Sequence, residues 1–533
     1  MKFSNRGKRA GRKHMEKQKT APARQKKEWT FAIHTLGCKV NTYESDAISG
    51  RLRAAGLREV PFSEKADVYL INTCTVTNIA DRKSRQMLHR ARKQNPDALV
   101  VAAGCYVDAA MQNESMHALL EDCAVDLFVS NKDKGGAAAM ILERLSGVKA
   151  SAAPLFVTEL DGHTRAFLKV QDGCNQFCSY CIIPYVRGRI RTRPIADVIA
   201  EVETLAARGV TEIVLNGIHL SSYGKDWLRE TGGKQAEEDN TLSLEKKTDG
   251  AAAFSSEEKT AEAFEAGTER TEHAAKEQRT VKDAAAGSMC AEDDIVNTKD
   301  APLLVLIRAV SSVDGISRIR LGSLEPRLMT EDFVRELAKL GKVCPQFHLS
   351  LQSGSDTVLK RMNRHYDTEL YREVCARLRR YYQKPAITTD IIVGFPGETE
   401  EEFQESLDFL REIRFYEAHV FKYSRRAGTV ADRMDGQVSE QTKALRSEQL
   451  IQAAAELSHA YRERFLGETV TFLAEEAITQ DGATYLTGYT PEYVRCVMKV
   501  EAERAKQAQG RLISGKAIEI FQEKPVDESL LLR

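Results

Sequence analysis

The segment Gly173-Cys174-Asn175-Gln176-Phe177-Cys178-Ser179-Tyr180-Cys181 sets three cysteines at the spacing C-x3-C-x2-C, directly after a predicted strand. Three thiolates on one short loop can hold three irons of a [4Fe–4S] cluster. The fourth iron is then open and can chelate the amino and carboxylate groups of S-adenosylmethionine (SAM). One-electron reduction of SAM so held breaks a carbon–sulfur bond and yields a 5′-deoxyadenosyl radical. Structural zinc suits the pattern poorly, because it takes four closed ligands, usually as two C-x-x-C pairs. No fourth Cys or His lies nearby in sequence, and His163 precedes the strand.

Three more cysteines occupy matching places nearer the N-terminus. Cys38 follows Leu36-Gly37, Cys74 follows Asn72-Thr73, and Cys105 follows Gly104. Each comes just after a predicted strand, and in a parallel sheet the strand C-termini line one edge. Together they make a second three-thiolate site with one open position. Cys123, Cys290, Cys344, Cys375 and Cys496 have no such placement and read as ordinary cysteines.

The elements that must position these thiols are legible as alternating apolar runs and helical stretches. Over 29–150, strands are predicted at Phe31–Thr35, Asp67–Asn72 and Leu99–Ala103, with helices at Ser45–Ala55 and Asp81–Lys93. Alternation at this spacing implies a parallel α/β sheet. A second α/β series over 160–463 has strands at Ala166–Gln171, Glu212–Leu215, Ile316–Leu321, Phe347–Leu351, Ile387–Val393 and His419–Tyr423. That series suits an open or partial (β/α) barrel with its active site at the strand C-termini. Residues 464–525 change to short strands with glycine turns, the pattern of a small β-barrel that grips nucleic acid.

Two segments stand apart. Residues 1–28 are crowded with Lys and Arg against only Glu16 and Glu28, and read as a disordered, phosphate-seeking or solubilising tail. Residues 229–300 are rich in Glu, Ala, Thr and Lys and poor in large apolar groups, and read as an acidic low-complexity insertion. The 533 residues are too many for one ordinary domain, and 42% hydrophobic content supports real cores. No apolar run approaches the roughly 20 residues of a membrane span. The 11 cysteines, odd in number and without a secretory signal, point to reduced thiols in a cytoplasmic protein.

Taken in order, HTLGCKVNTYES, INTCTVTN, AAGCY, GCNQFCSYCIIPYVRGRIRTRP, LQSGSDTVLKRMNRHY and TDIIVGFPGETEEEF resemble the radical SAM methylthiotransferase family over nearly the whole chain. Within it, TLGCKVN, NGIHLSSYG and HVFKYSRRAGT are most similar to the branch acting on tRNA N6-threonylcarbamoyladenosine (the MtaB type). The resemblance implies an N-terminal cluster domain, a central radical SAM barrel and a C-terminal TRAM β-barrel that binds RNA. It implies that Cys174, Cys178 and Cys181 hold the SAM cluster. Cys38, Cys74 and Cys105 hold a second [4Fe–4S] cluster, whose open iron carries the sulfur. The implied reaction puts a methylthio group on carbon 2 of threonylcarbamoyladenosine beside the anticodon. The implied partners are tRNA and an electron donor of flavodoxin or ferredoxin type.

Further site residues follow from position. Asn216 and Gly217 end one strand, where a backbone edge can pair with the methionine amino group of SAM. Ser323 and Glu325 end the next and can reach its ribose hydroxyls. Gly394 and Glu398 bound a segment similar to the superfamily's adenine contact. Arg187, Arg189, Arg191 and Arg193 lie just past the cysteine loop as candidates for tRNA phosphates, and Tyr485, Tyr489 and Tyr493 as candidates for base stacking. The sequence departs from the family in its insertion, its basic tail and Lys422, which stands where a proline is usual. Competing readings are a methylthiotransferase for isopentenyladenosine or a ribosomal-protein side chain, and a non-catalytic iron–sulfur RNA-binding protein.

Overall fold

The structure is a computed structural model that describes residues 28–147, 154–157, 164–230, 301–522 and 528–533. The basic tail, apart from Glu28, and the insertion from 231 onward lie outside the described residues.

Strands β1 (Thr30–Thr35), β2 (Arg58–Glu59), β3 (Val68–Thr73), β4 (Leu99–Gly104) and β5 (Leu127–Val129) form a parallel sheet in the order β2-β1-β3-β4-β5. Every residue of β3 is buried, as a central strand covered by helices on both faces requires. Helix α1 (Lys39–Ala54) follows β1 and helix α2 (Asn78–Gln94) follows β3. Both begin earlier than the apolar periodicity predicts. Their first turns mix polar and apolar residues without helical periodicity, and the start of α2 is fixed by the Thr77 side chain, which accepts the Ala80 N–H.

The second unit carries β6 (Arg165–Asp172), β7 (Arg191–Thr192), β8 (Glu212–Gly217), β9 (Arg318–Leu321), β10 (Gln346–His348), β11 (Ala386–Val393) and β12 (Glu417–Lys422). They pair as β7-β6-β8-β9 and β10-β11-β12. Parallel bridges from Ile319 to Val343 and from Leu324 to Leu349 join the two sets. Apart from β7, which runs antiparallel at one edge, the strands form one parallel arc. Ala166, Leu168 and Val170 of β6 pack with Val198, Val202 and Leu205 of the helix Ile195–Ala207. Arg165, Phe167, Lys169 and Gln171 alternate with them and therefore line the concave face. Gly224, just before the helix Lys225–Glu230, lies side by side with Pro302: a Cβ on Gly224 would fall 2.3 Å from the Pro302 Cβ.

Strands β13 (Thr469–Gln480), β14 (Ala483–Tyr489), β15 (Arg495–Lys499), β16 (Leu512–Gln522) and β17 (Glu528–Leu532) close into a barrel in the order β13-β14-β15-β17-β16. Strand β17 lies beyond the expected limit at 525, and its parallel pairing with β15 closes the ring. Phe472, Leu486, Cys496, Ala517 and Leu530 fill the interior. The barrel seats on the first residues of the arc's strands. Arg318 donates to the carbonyls of Tyr489 and Thr471, and Arg320 to those of Pro491 and Thr490. Arg165 pairs with Glu475. No described helix is long and apolar enough to cross a membrane.

Candidate metal centre and its surroundings

At the C-terminal end of β6 the chain turns at Gly173 with φ +71°, and a Cβ there would fall 1.9 Å from the Arg189 carbonyl oxygen. Only glycine allows this close approach, which lets the Cys174 N–H reach the Gly188 carbonyl at 3.1 Å. Farther along the loop, Ser179 donates to the carbonyls of Met362 and Arg361 and accepts the Ala431 N–H. Asn363 donates to the Phe177 carbonyl, and Phe177 holds φ 50°. The loop is thus fastened to segments far away in sequence. Arg364 places Nη1 3.1 Å from Cys178 Sγ.

The other three cysteines sit at adjacent strand ends, because β1, β3 and β4 are neighbours in the sheet. Cys38 is the N-cap of α1, Cys74 follows β3, and Cys105 opens the helix Cys105–Ala110. Gly37, at φ +99°, makes room: a Cβ there would lie 2.9 Å from Cys74 Sγ. Asn41 Nδ2 donates to the carbonyls of Leu36 and Thr73, tying the two strand ends together. Asn131 Nδ2 lies 3.6 Å from Cys105 Sγ and also donates to the Val186 carbonyl.

The two trios are neighbours. Ile182, Ile183 and Val186, just past Cys181, pack against Cys105 and Ala109. Beneath them lies a buried charge cluster. Glu44 is fully buried and pairs with Lys134, with Lys169 at 2.6 Å and with Arg187 at 3.1 Å. Arg187 also reaches Asp172 at 3.0 Å and Asn41 at 2.5 Å. Burial alone would raise the Glu44 carboxyl, but Lys134, Arg187 and Lys169 hold it well below the usual carboxylate range. On the other side, Arg426 pairs with Asp81 at 2.7 Å and donates to Thr75 and Asn78, joining α2 to the segment after β12.

Arg187 therefore stands where no phosphate reaches, since it is 1% exposed and bound to two carboxylates. Its place in an arginine-rich run hid this, because alternation does not say which face is covered. Arg193 pairs with Glu201 at 2.7 Å and donates to Tyr43. Arg189 and Arg191 are exposed. Arg189 lies over the Phe177 ring at 4.3 Å, and Arg191 shares a cavity of ≈ 680 Å³ with the exposed Lys132. Tyr489 and Tyr493 stack on each other at 4.4 Å with the Arg165 guanidinium 5.0 Å from each ring, an internal seam between barrel and arc. Tyr485 packs on Phe521.

Among the other expected residues, Asn216 is buried and turns its amide to the Val214 carbonyl, with Gly217 following at the strand end. Ser323 is exposed. Glu325 is buried and contacts His219, Gln176 and Arg327, each at 3.2 Å. Burial opposes its ionisation, but His219, Arg327 and Arg364 hold its carboxyl well below the usual range. Glu398 binds Arg446 at 2.7 Å and the Gly394 N–H at 2.6 Å, so it shapes its own turn. Burial raises its carboxyl despite both contacts. His219, Arg364, Glu44 and Lys134 were not anticipated. Arg364, Glu44 and His219 lie within the quoted segments LQSGSDTVLKRMNRHY, HTLGCKVNTYES and NGIHLSSYG, whereas Lys134 had no sequence signal.

Both trios suit an iron–sulfur cluster. Burial pushes the thiols of Cys74 and Cys174 up to about 11 and that of Cys181 up to about 12, so a metal must supply the charge that makes them thiolates. Arg187 and Arg364 provide further positive charge. Among the described residues, the group of three ligand atoms gathered within 4.8 Å is His348, Asp390 and His419, on the inner face of β10–β12. Neither cysteine trio is drawn in that tightly, whereas one zinc ion holds its sulfurs at about 2.3 Å and hence close together.

A family model described as "Uncharacterized protein family UPF0004" matches residues 30–129, and one described as "Radical SAM superfamily" matches 292–410. The first takes in Cys38, Cys74 and Cys105; the second begins beyond the cysteine loop. The chain is 34% identical over 482 residues to "Threonylcarbamoyladenosine tRNA methylthiotransferase MtaB" of Bacillus subtilis, covering 88% of this chain and 90% of that one. It is 32% identical over 446 residues to the MtaB of Aquifex aeolicus, covering 81% and 89%. It is 30% identical over 479 residues to a "tRNA-2-methylthio-N(6)-dimethylallyladenosine synthase" of Acetivibrio thermocellus, covering 87% and 84%. With two thiol trios side by side and relatives of this similarity along most of its length, the chain belongs to the radical SAM methylthiotransferase family.

Proposed function

We propose that the protein methylthiolates carbon 2 of N6-threonylcarbamoyladenosine, next to the anticodon of tRNA, using SAM and two [4Fe–4S] clusters. The observation that carries this is the adjacency of two three-thiol sites at the ends of two parallel sheets. On this reading Cys174, Cys178 and Cys181 hold the SAM-binding cluster, and Cys38, Cys74 and Cys105 hold the second. So loaded, the first site supplies a radical able to take hydrogen from an unactivated C–H, and the second supplies the sulfur.

The chain's own residues hold and orient. Ser323 and Glu325 offer hydrogen-bond acceptors to the SAM ribose at the end of β9, and Gly217 offers a backbone edge beside them. Ile182, Ile183 and Val186 fasten the end of the cysteine loop to the second site by packing against Cys105 and Ala109. Arg189 and Arg191 present charge to tRNA phosphates at the rim. The closed C-terminal barrel acts as a TRAM-type RNA-binding module, 29–150 as the second-cluster domain, and 160–463 as the radical SAM domain. A flavodoxin- or ferredoxin-type donor supplies electrons in the cytoplasm.

The test is anaerobic turnover of reconstituted, reduced protein with SAM and tRNA carrying threonylcarbamoyladenosine, followed by nucleoside mass spectrometry. The expected product is heavier by one methylthio group and is lost in Cys174→Ala and in Cys38→Ala. Formation of 5′-deoxyadenosine without that nucleoside overturns the substrate. Formation of neither overturns the enzyme.

A further inference from the structure

The first residue of α1 is Lys39, adjacent to Cys38, and its side chain reaches from the N-terminal sheet to the concave face of the arc. Its ammonium lies 5.9 Å from the centre of the Phe167 ring. Phe167 occupies β6 between Arg165 and Lys169, and Arg165 and Arg320 are near enough to oppose the charge of Lys39. The cations around it are all answered. Arg165 faces Glu212 and Glu475, Arg320 faces Glu212, and Lys169 faces Glu44 and Asp172. Lys39 is solvent-accessible and pairs with no carboxylate among the described residues. An ammonium above an aromatic ring, with no carboxylate of its own among the described residues and with neighbouring cations already satisfied by Glu212, Glu475, Glu44 and Asp172, is a seat for an incoming anion.

The substrate proposed above carries that anion. The ureido N–H of a threonylcarbamoyl group closes onto N1 of its adenine, which turns the threonyl carboxylate toward the edge of the base that bears C2. A base presenting this edge to Cys38 directs its carboxylate to the next residue along the chain. Resting on that substrate reading, we propose that Lys39 binds the threonyl carboxylate through a charge-assisted hydrogen bond. It thereby selects this nucleoside over N6-substituted adenosines that lack an anion.

The experiment uses the full, iron-loaded chain and two anticodon stem-loops, one with the threonylcarbamoyl acid and one with its uncharged methylamide. A hydrogen bond to a charged group predicts a kcat/KM ratio of about tenfold or more for the acid over the amide in the unaltered protein. Lys39→Met brings this ratio close to one, and Lys39→Arg restores most of it. Iron content and 5′-deoxyadenosine formation are measured on each variant as checks on folding and cluster loading. A ratio near one in the unaltered protein, or a ratio preserved in Lys39→Met, overturns the role of Lys39 and leaves the substrate standing. Failure of the unaltered protein on both stem-loops overturns the substrate reading and this inference with it.

Discussion

Replacing Glu44 by Gln tests whether the buried charge cluster joins the first two units. Glu44 contacts Lys134, Lys169 and Arg187, but these do not depend on it equally. Lys169 and Arg187 also hold Asp172, at 2.6 and 3.0 Å. Lys134 is 1% exposed and has no other carboxylate partner among the described residues. The substitution strands one ammonium in the interior, which costs about 3–5 kcal/mol. With a urea slope of about 2 kcal/mol/M, the midpoint falls by about 2 M. Trp29, beside β1, reports the transition by fluorescence, and Trp227 of the second unit reports it independently. Adding Lys134→Met removes the stranded charge, so the double variant should be more stable than Glu44→Gln alone. Losses that simply add refute the reasoning, as does a midpoint change below about 0.5 M.

Burial disfavours the charged forms of Glu44 and Asp172, but their cationic neighbours more than offset it and both carboxyls lie below their ordinary values. Their stabilising contribution is therefore complete above about pH 4.5 and is lost as pH falls below it; urea midpoints of iron-free protein should drop on that limb, less steeply in Glu44→Gln. Arg364→Met removes a cationic donor from Cys178 Sγ, and the potential of the cluster on the C-x3-C-x2-C loop should become more negative in an electron-paramagnetic-resonance redox titration. An unchanged or raised potential contradicts that contact. Arg191→Ala should weaken tRNA binding and lower the slope of log affinity against log salt by about one. Cys38→Ala and Cys174→Ala should each leave about half the iron of the unaltered protein, measured by ferrozine assay, whereas one shared cluster predicts loss of nearly all of it.

What the sequence made legible were features with a local signature. The strands ending at Thr35, Thr73 and Gly104 are mainly apolar runs and the one ending at Asp172 alternates apolar with polar residues, each ending within three residues of a cysteine. Their alternation with helices implied the parallel sheets. The polar interior was not legible, because Glu44, Lys134 and Arg187 lie far apart in the chain and each reads as an ordinary surface charge. Arg187 was misplaced for that reason. Glu398 was assigned to a ligand because its turn follows a strand, yet Arg446, on the helix Glu440–Glu463, holds its carboxylate. Strand β17 escaped notice because a short apolar run says nothing about the partner that closes a ring.

Gly224 and Pro302 touch, and the helix Lys225–Glu230 between them keeps Trp227 packed on the core of the second unit. Loop-closure entropy rises only slowly with length, so the number of residues between 230 and 301 makes little thermodynamic demand on β8 or β9. The junction works as a port: its cargo can be exchanged, lengthened or deleted without redesigning the scaffold. Excision of 231–300 with a short glycine–serine bridge is then a route to a smaller enzyme with the same thermal midpoint. A foreign domain inserted there would be carried without disturbing the thiol sites.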